Sequence, residues 1–432
     1  MLTKLDTSNL SRSHLEKALF SRLAEEESAR IEVVVKSVVR SVRRDGDKAL
    51  VRLTKKFDGI TLRPDQFRIE HREIEAAYGK IPPDTRRALK RAHANITAFH
   101  KKSLRASWGS RARDNSFLGQ KITAIANVGV YCPGGKAYYP SSVLMNVVPA
   151  KVAGCSRIVM VSPPSSGGSI HPALLVAADI AGATDIYRVG GAQAVAALAF
   201  GTETIPKVDK IVGPGNIFVT YAKRLVTGEV AIDMEAGPSE IVIIADSSAS
   251  ARFVAADMLS QAEHDELASA ILLTTSDALA QNVLRQLRMQ MKAMERRHII
   301  SESLRRNGLV LVCRTIDEAV ELANRRAPEH LELLVRNPQR LLEKIEHAGV
   351  VFLGEHTPNA VGDYFAGPNH VLPTGGRARF SSPLSAEDFL KVTNVVSYTS
   401  EKLRADARDI VLIAELEGLT AHANAIRVRT EK

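Results

Sequence analysis

An α/β fold made of two parallel-sheet units is what the sequence predicts, and three observations carry that expectation. At roughly 100–200 residues per domain, 432 residues allow two to four domains. The make-up, 45% hydrophobic and 25% charged, is that of an ordinary globular chain. From about residue 122 onward, short apolar runs alternate with stretches of helical periodicity, as when a parallel sheet is covered by helices on both faces.

The elements are expected in this order. Residues 1–25 read as a polar helical arm. Over 26–57, Ile31, Val34, Val35, Val38, Val39, Val42 and Leu50 recur at helical spacing, and Phe57-Asp58-Gly59 closes the segment as a turn. Residues 84–104 read as another helix, and the polar, aperiodic text over 108–115 as a domain boundary or hinge. A first set of strands is expected at 128–131, 157–161, 185–189 and 210–212, with helices at 143–153, 172–181, 193–200 and 217–227. A second set places strands at 240–245, 269–275, 310–312, 331–335 and 350–353, with helices at 250–264, 277–296 and 316–326. Both sets read as Rossmann-like units of an incomplete dinucleotide-binding type. The Gly-, Pro- and Asn-rich stretch 358–383 reads as an ordered loop of the kind that carries function. The domain division that results is an arm, 1–25; a larger α/β domain, 26–118 with 239–384; a second α/β domain, 119–238; and a helical C-terminal tail, 385–432.

Composition narrows the function. No apolar run approaches the ~18–20 residues that span a bilayer, and the first residues lack a basic region followed by a long apolar core. Three cysteines, Cys132, Cys155 and Cys313, do not make a disulfide framework in a chain of this length. A cytoplasmic protein is therefore expected. The net charge of +10 admits nucleic acid as a partner, but the basic stretch 61–113 lies in helical text without interleaved aromatics. A solvated helix face is the plainer reading, and no nucleic-acid or membrane partner is expected.

Ligand-type residues gather in four places. Gln261 and His264 are three apart at the end of a helix, so they share a face. Glu329-His330 sets an acid beside an imidazole just before a strand. Asp363 and His370 lie in the glycine-rich loop, and Glu417 and His422 near the C-terminus. Each has a plain structural reading when taken singly. Together, His264, Asp363 and His422 make a common zinc set to which Gln261 adds a neutral oxygen. Gly213-Pro214-Gly215-Asn216 follows a strand and opens a helix as a dinucleotide turn does, but the third glycine of that fingerprint is missing. Pro133-Gly134-Gly135-Lys136 reads either as a pyrophosphate contact or as a tight turn. From the residues alone, the chain is a two-unit α/β protein with a candidate metal site and a candidate nucleotide site.

The ordered motifs resemble histidinol dehydrogenases over nearly the whole chain. They include Lys56-Phe57-Asp58-Gly59, Tyr131 with Pro133-Gly134-Gly135, Ser141-Ser142-Val143-Leu144-Met145, Val189-Gly190-Gly191-Ala192-Gln193-Ala194, Ala236-Gly237-Pro238-Ser239-Glu240, Gly362-Asp363-Tyr364, and Asn369-His370-Val371-Leu372-Pro373-Thr374. The resemblance implies oxidation of L-histidinol to L-histidine through bound L-histidinaldehyde, with two NAD+, one zinc ion per subunit, and a homodimer that shares its active sites. It implies Gln261, His264, Asp363 and His422 as zinc ligands, with His422 coming from the neighbouring subunit. It implies His330 as general base and Glu329 as the activator of water. Ser239, His370 and Glu417 would line the substrate with the zinc ligands and His330, and Tyr131, Gln193 and Asn216 would touch NAD+ in the domain 119–238. Asn359 departs from the Glu carried by some relatives. A cysteine thiohemiacetal is a further route for aldehyde oxidation, with Cys132 its candidate, but the resemblance requires no cysteine. The competing readings are a zinc and NAD dehydrogenase of another polar alcohol, such as a sulfonated diol, and a zinc hydrolase.

Overall fold

A computed structural model describes residues 2–20, 25–134, 138–165, 167–235 and 237–431. Gly135 and Lys136 of the glycine turn therefore lie outside the described residues.

Two parallel sheets form the two units. The larger has six strands in the order Thr3–Asp6, Gly308–Val312, Ser269–Thr274, Glu240–Ala245, His330–Leu334 and Val350–Leu353, all parallel. Glu240–Ala245 and Ser269–Thr274 are buried at every residue. Such continuous apolar runs belong to parallel strands covered on both faces. Ala251–Ala262, Asp277–Gln290 and Arg297–Asn307 cover one face. Arg12–Phe20 and Ile316–Arg326 cover the other.

The smaller sheet has five parallel strands in the order Asp185–Arg188, Arg157–Ser162, Asn127–Tyr131, Lys210–Val212 and Ala231–Ile232. Pro140–Ala153 and Pro172–Ala181 pack on one face together with His71–Lys80 and Pro83–Lys102. Gly191–Phe200, Ile217–Val226 and the long helix Glu25–Asp58 pack on the other. Helix Glu25–Asp58 is broken at Gly46, whose φ of 53° is left-handed.

Five local expectations differ from this architecture. The N-terminal arm opens with the strand Thr3–Asp6, which closes an edge of the large sheet before its helix begins. Residues 25–102 lay their apolar faces on the smaller sheet, so the cores do not group 26–118 with 239–384. The text over 108–115 contains the strand Trp108–Arg111, and the tail contains the strand Leu390–Ser397. Both pair antiparallel with Phe117–Ala124 in a third sheet. The β-branched run Val392, Thr393, Val395 and Val396 favours a strand there. Beyond it, Ser400–Leu416 and Thr420–Thr430 form the helix pair expected of the tail. The long helix expected over 277–296 ends at Gln290, and a separate helix, Arg297–Asn307, follows.

Candidate active site

The strand His330–Leu334 is held between Glu240–Ala245 and Val350–Leu353, with His330 opposite Ile241 and Val350. Helix Ile316–Arg326 ends on Ala327 at φ 49°, a left-handed conformation that costs a side-chain residue roughly 1–2 kcal/mol. Pro328 follows and turns the chain straight into Glu329 and the strand. Glu329 and His330 thus sit at the amino end of a central strand, and both are buried.

Their partners come from neighbouring elements. The Glu240 backbone N–H donates to Glu329 Oε2 at 2.9 Å. His330 Nδ1 lies 3.1 Å from the Glu240 carbonyl oxygen and 3.5 Å from Glu329 Oε2. His330 Nε2 lies 3.6 Å from Asp363 Oδ1, on the short helix Asn359–Tyr364, and has no hydrogen-bond partner. His370 turns back on the same helix, its Nδ1 2.8 Å from the Asp363 carbonyl oxygen. Its Nε2 meets Ser142 Oγ at 3.2 Å, on helix Pro140–Ala153 of the smaller unit. The cluster therefore lies where the two units meet.

Charge is balanced within it. Burial opposes a charged His330, but Glu329 and Asp363 outweigh burial and raise its pKa well above the ordinary value. Burial would raise Asp363, but His330, His370 and His264 together hold it below the usual carboxylate range. Burial dominates at His370 and lowers its pKa. Beneath these groups, Glu332 is fully buried, its Oε1 accepting from the Asn359 backbone N–H at 2.8 Å. Burial and the Asp257 charge push Glu332 well up, and burial brings Asp257 to about 6.

Gln261 closes helix Ala251–Ala262 and is fully buried, with His264 one turn on. Asn359 Nδ2 stands 3.3 Å from Gln261 Oε1, and the Gln261 Nε2 position has no partner. Gln261 thus meets Asn359 at the start of the helix that carries Asp363, the His264 charge acts on Asp363, and Asp363 lies beside His330, while Ser239 precedes the adjoining strand Glu240–Ala245. Glu417 and His422 stand exposed on the C-terminal helix pair. Among the described residues, no group of three or more His, Cys, Asp or Glu side chains is arranged to hold a metal.

Tyr131, Asn216 and Gln193 lie at the carboxyl edge of the smaller sheet. Tyr131 ends one strand, and Asn216 follows its neighbour Lys210–Val212, at the point where strand order reverses. Open α/β sheets bind ligands in the crevice at such a point. Asn216 caps helix Ile217–Val226 by accepting from the N–H groups of Phe218 and Val219. The Gly191 N–H donates to the Tyr131 hydroxyl at 3.1 Å, and Gln193 is buried in the first turn of helix Gly191–Phe200. Sequence reading did not single out Ser142, Asp257 or Glu332 for a role. Glu332 carried a usable signal as a carboxylate inside the apolar strand His330–Leu334. All three cysteines are buried, and burial pushes their thiols up, Cys155 to about 11 and Cys132 further, which removes the reactive thiolate.

Relatives of this geometry are well defined. A family model described as histidinol dehydrogenase matches residues 21–430. Histidinol dehydrogenase of Heliobacterium mobile is 52% identical over 406 residues, covering 94% of this chain and 95% of that one. That of Halalkalibacterium halodurans is 52% identical over 397 residues, 92% and 93% of the two chains. The crystal structure of histidinol dehydrogenase from Elizabethkingia anophelis superposes with a TM-score of 0.92 at 38% identity, covering 99% of this chain and 98% of that one. With a match over nearly its full length in sequence and in fold, this chain belongs to the histidinol dehydrogenase family.

Proposed function

We propose that the chain oxidises L-histidinol to L-histidine through bound L-histidinaldehyde, with two NAD+ and one zinc ion per subunit, as a cytoplasmic homodimer. The observation that carries this reading is the hydrogen-bonding of His330. Its Nδ1 proton is directed to the Glu240 carbonyl oxygen, which leaves Nε2 as the unpartnered ring nitrogen in a buried site. Glu329 and Asp363 keep the ring protonated while the Asp363 charge is uncompensated; once a bound cation takes up that charge, an imidazole fixed in this tautomer accepts a proton at Nε2.

The donor set fits zinc. His264 offers an imidazole, Asp363 a carboxylate held in its ionised form, and Gln261 a buried amide with one polar atom unpartnered. His422 of a second copy would supply a further imidazole to complete the protein's donor set. When bound, zinc anchors the imidazole and amine of the substrate without redox chemistry of its own, and NAD+ accepts hydride.

The chain's own residues then do the following. His330 Nε2 takes the proton of the substrate hydroxyl, a step that contributes typically 10²–10⁴-fold. Glu329, anchored by the Glu240 N–H, takes a proton from the water that adds to the aldehyde, and His330 acts again in the second oxidation. His370 and Ser239 line the substrate, joined by Glu417 of the second copy. Tyr131, Gln193 and Asn216 receive NAD+ at the carboxyl edge of the smaller sheet. The turn that begins at Gly213 lacks the third glycine of a full fingerprint, so the cofactor is held loosely and exchanges between the two oxidations.

A direct assay tests this. Histidinol supplied in limiting amount should yield two equivalents of NADH, with the yield lost to a chelator and restored by zinc. One equivalent, or turnover that ignores the chelator, would refute the proposal.

A further inference from the structure

Asn359 is fully buried at the start of helix Asn359–Tyr364, its backbone N–H fixed by Glu332 Oε1 at 2.8 Å. Its side chain lies between Ser260 and Gln261. Ser260 Oγ is 2.9 Å from the Asp257 carbonyl oxygen and 2.9 Å from Asn359 Oδ1. Both contacts present an oxygen acceptor to the serine, and a hydroxyl has only one proton to give. At the other end, Asn359 Nδ2 donates to Gln261 Oε1, and the Gln261 –NH2 is buried with nothing to receive it.

Turning both amides by 180° removes both faults, since amide oxygen and nitrogen are assigned by the network they complete. The Asn359 –NH2 then donates to Ser260 Oγ, and the single serine proton goes to the Asp257 carbonyl. Asn359 Oδ1 receives the Gln261 –NH2. The one atom left over is the Gln261 carbonyl oxygen, a buried acceptor with no donor beside it and on the same helix end as His264. A cation satisfies such an atom.

We propose that Asn359 is the positioning residue that turns the Gln261 carbonyl toward the metal, through the chain Asp257 carbonyl, Ser260 hydroxyl, Asn359 amide, Gln261 amide. This rests on the zinc reading above. Groups behind a ligand that fix its orientation are worth roughly 10–100-fold in metal affinity.

The test is zinc affinity of the full-length protein, measured by competition with a chromophoric chelator, for wild type, Asn359→Leu and Asn359→Asp. Asp keeps an acceptor facing Gln261, and Leu removes it. Leu should weaken zinc binding by about 10–100-fold. Asp should stay within about threefold of wild type, and its cobalt-substituted form should keep the wild-type visible spectrum. A Leu variant that binds zinc as wild type does, or an Asp variant that loses as much as Leu, overturns the inference. If Leu does not fold, the Asp variant still decides it by its affinity and spectrum. A wild-type protein that binds no zinc removes the zinc reading itself, and this inference with it.

Discussion

At His330, two carboxylates compete for one buried imidazole. Glu329 approaches Nδ1 and Asp363 approaches Nε2, at 3.5 and 3.6 Å. The Glu240 carbonyl holds Nδ1 as a donor, which leaves Nε2 as the ring nitrogen the proposed chemistry uses. His330→Asn should therefore lower kcat by about 10²–10⁴-fold while leaving KM for histidinol and the zinc content near wild type. Steady-state kinetics beside metal analysis checks this. Loss of zinc together with activity would instead make His330 a ligand. The sequence singled out Glu329-His330, Gln261, His264 and Asp363 as candidates for the chemistry. It did not show the backbone carbonyl that sets the tautomer, because any residue at position 240 presents the same oxygen. Nor did it show that Ser142, from a helix 228 positions away, meets His370.

Among the elements, the turn that begins at Gly213 is held by a buried clamp. Asp233 accepts from the Gly213 N–H at 2.8 Å and pairs with Lys223, which also donates to the Gly213 carbonyl at 3.0 Å. Both charged side chains are buried. Removing one partner of such a pair costs about 3–5 kcal/mol, because the other is left uncompensated. Lys223→Met should lose about that much stability in urea unfolding and weaken NAD+ binding. Unchanged stability would mean the pair adds nothing beyond what water supplies.

Parallel strands such as Glu240–Ala245 were legible as unbroken apolar runs, since burial on both faces leaves no polar alternation. The strand Leu390–Ser397 was not. It is exposed along nearly its whole length, so no burial pattern marks it, and its pairing partner lies some 270 positions earlier. The strand Thr3–Asp6 escaped notice for a similar reason, being short and at a sheet edge. The helices Glu25–Asp58 and Pro83–Lys102 were recognised as helices, whereas His71–Lys80 between them was not. Which sheet they cover is decided by tertiary packing, and their own periodicity does not encode it.

For the whole molecule, the C-terminal helix pair presents Leu412, Ile413 and Leu416 at 54%, 60% and 88% exposure, a costly arrangement for a chain that stands alone. Glu417 and His422 lie on the same pair, while Asp363 stands beside His330. The account therefore requires that each site draw His422 from a second copy, so subunit complementation tests it most directly. Asp363→Asn and His422→Asn are each expected to be inactive alone. Mixed by co-refolding, they should form heterodimers in which one site has both native ligands, and activity should return to about a quarter of wild type, the share of intact sites under random pairing. A mixture as inactive as its components would place His422 in its own subunit's site, or in none, and would contradict the shared centre.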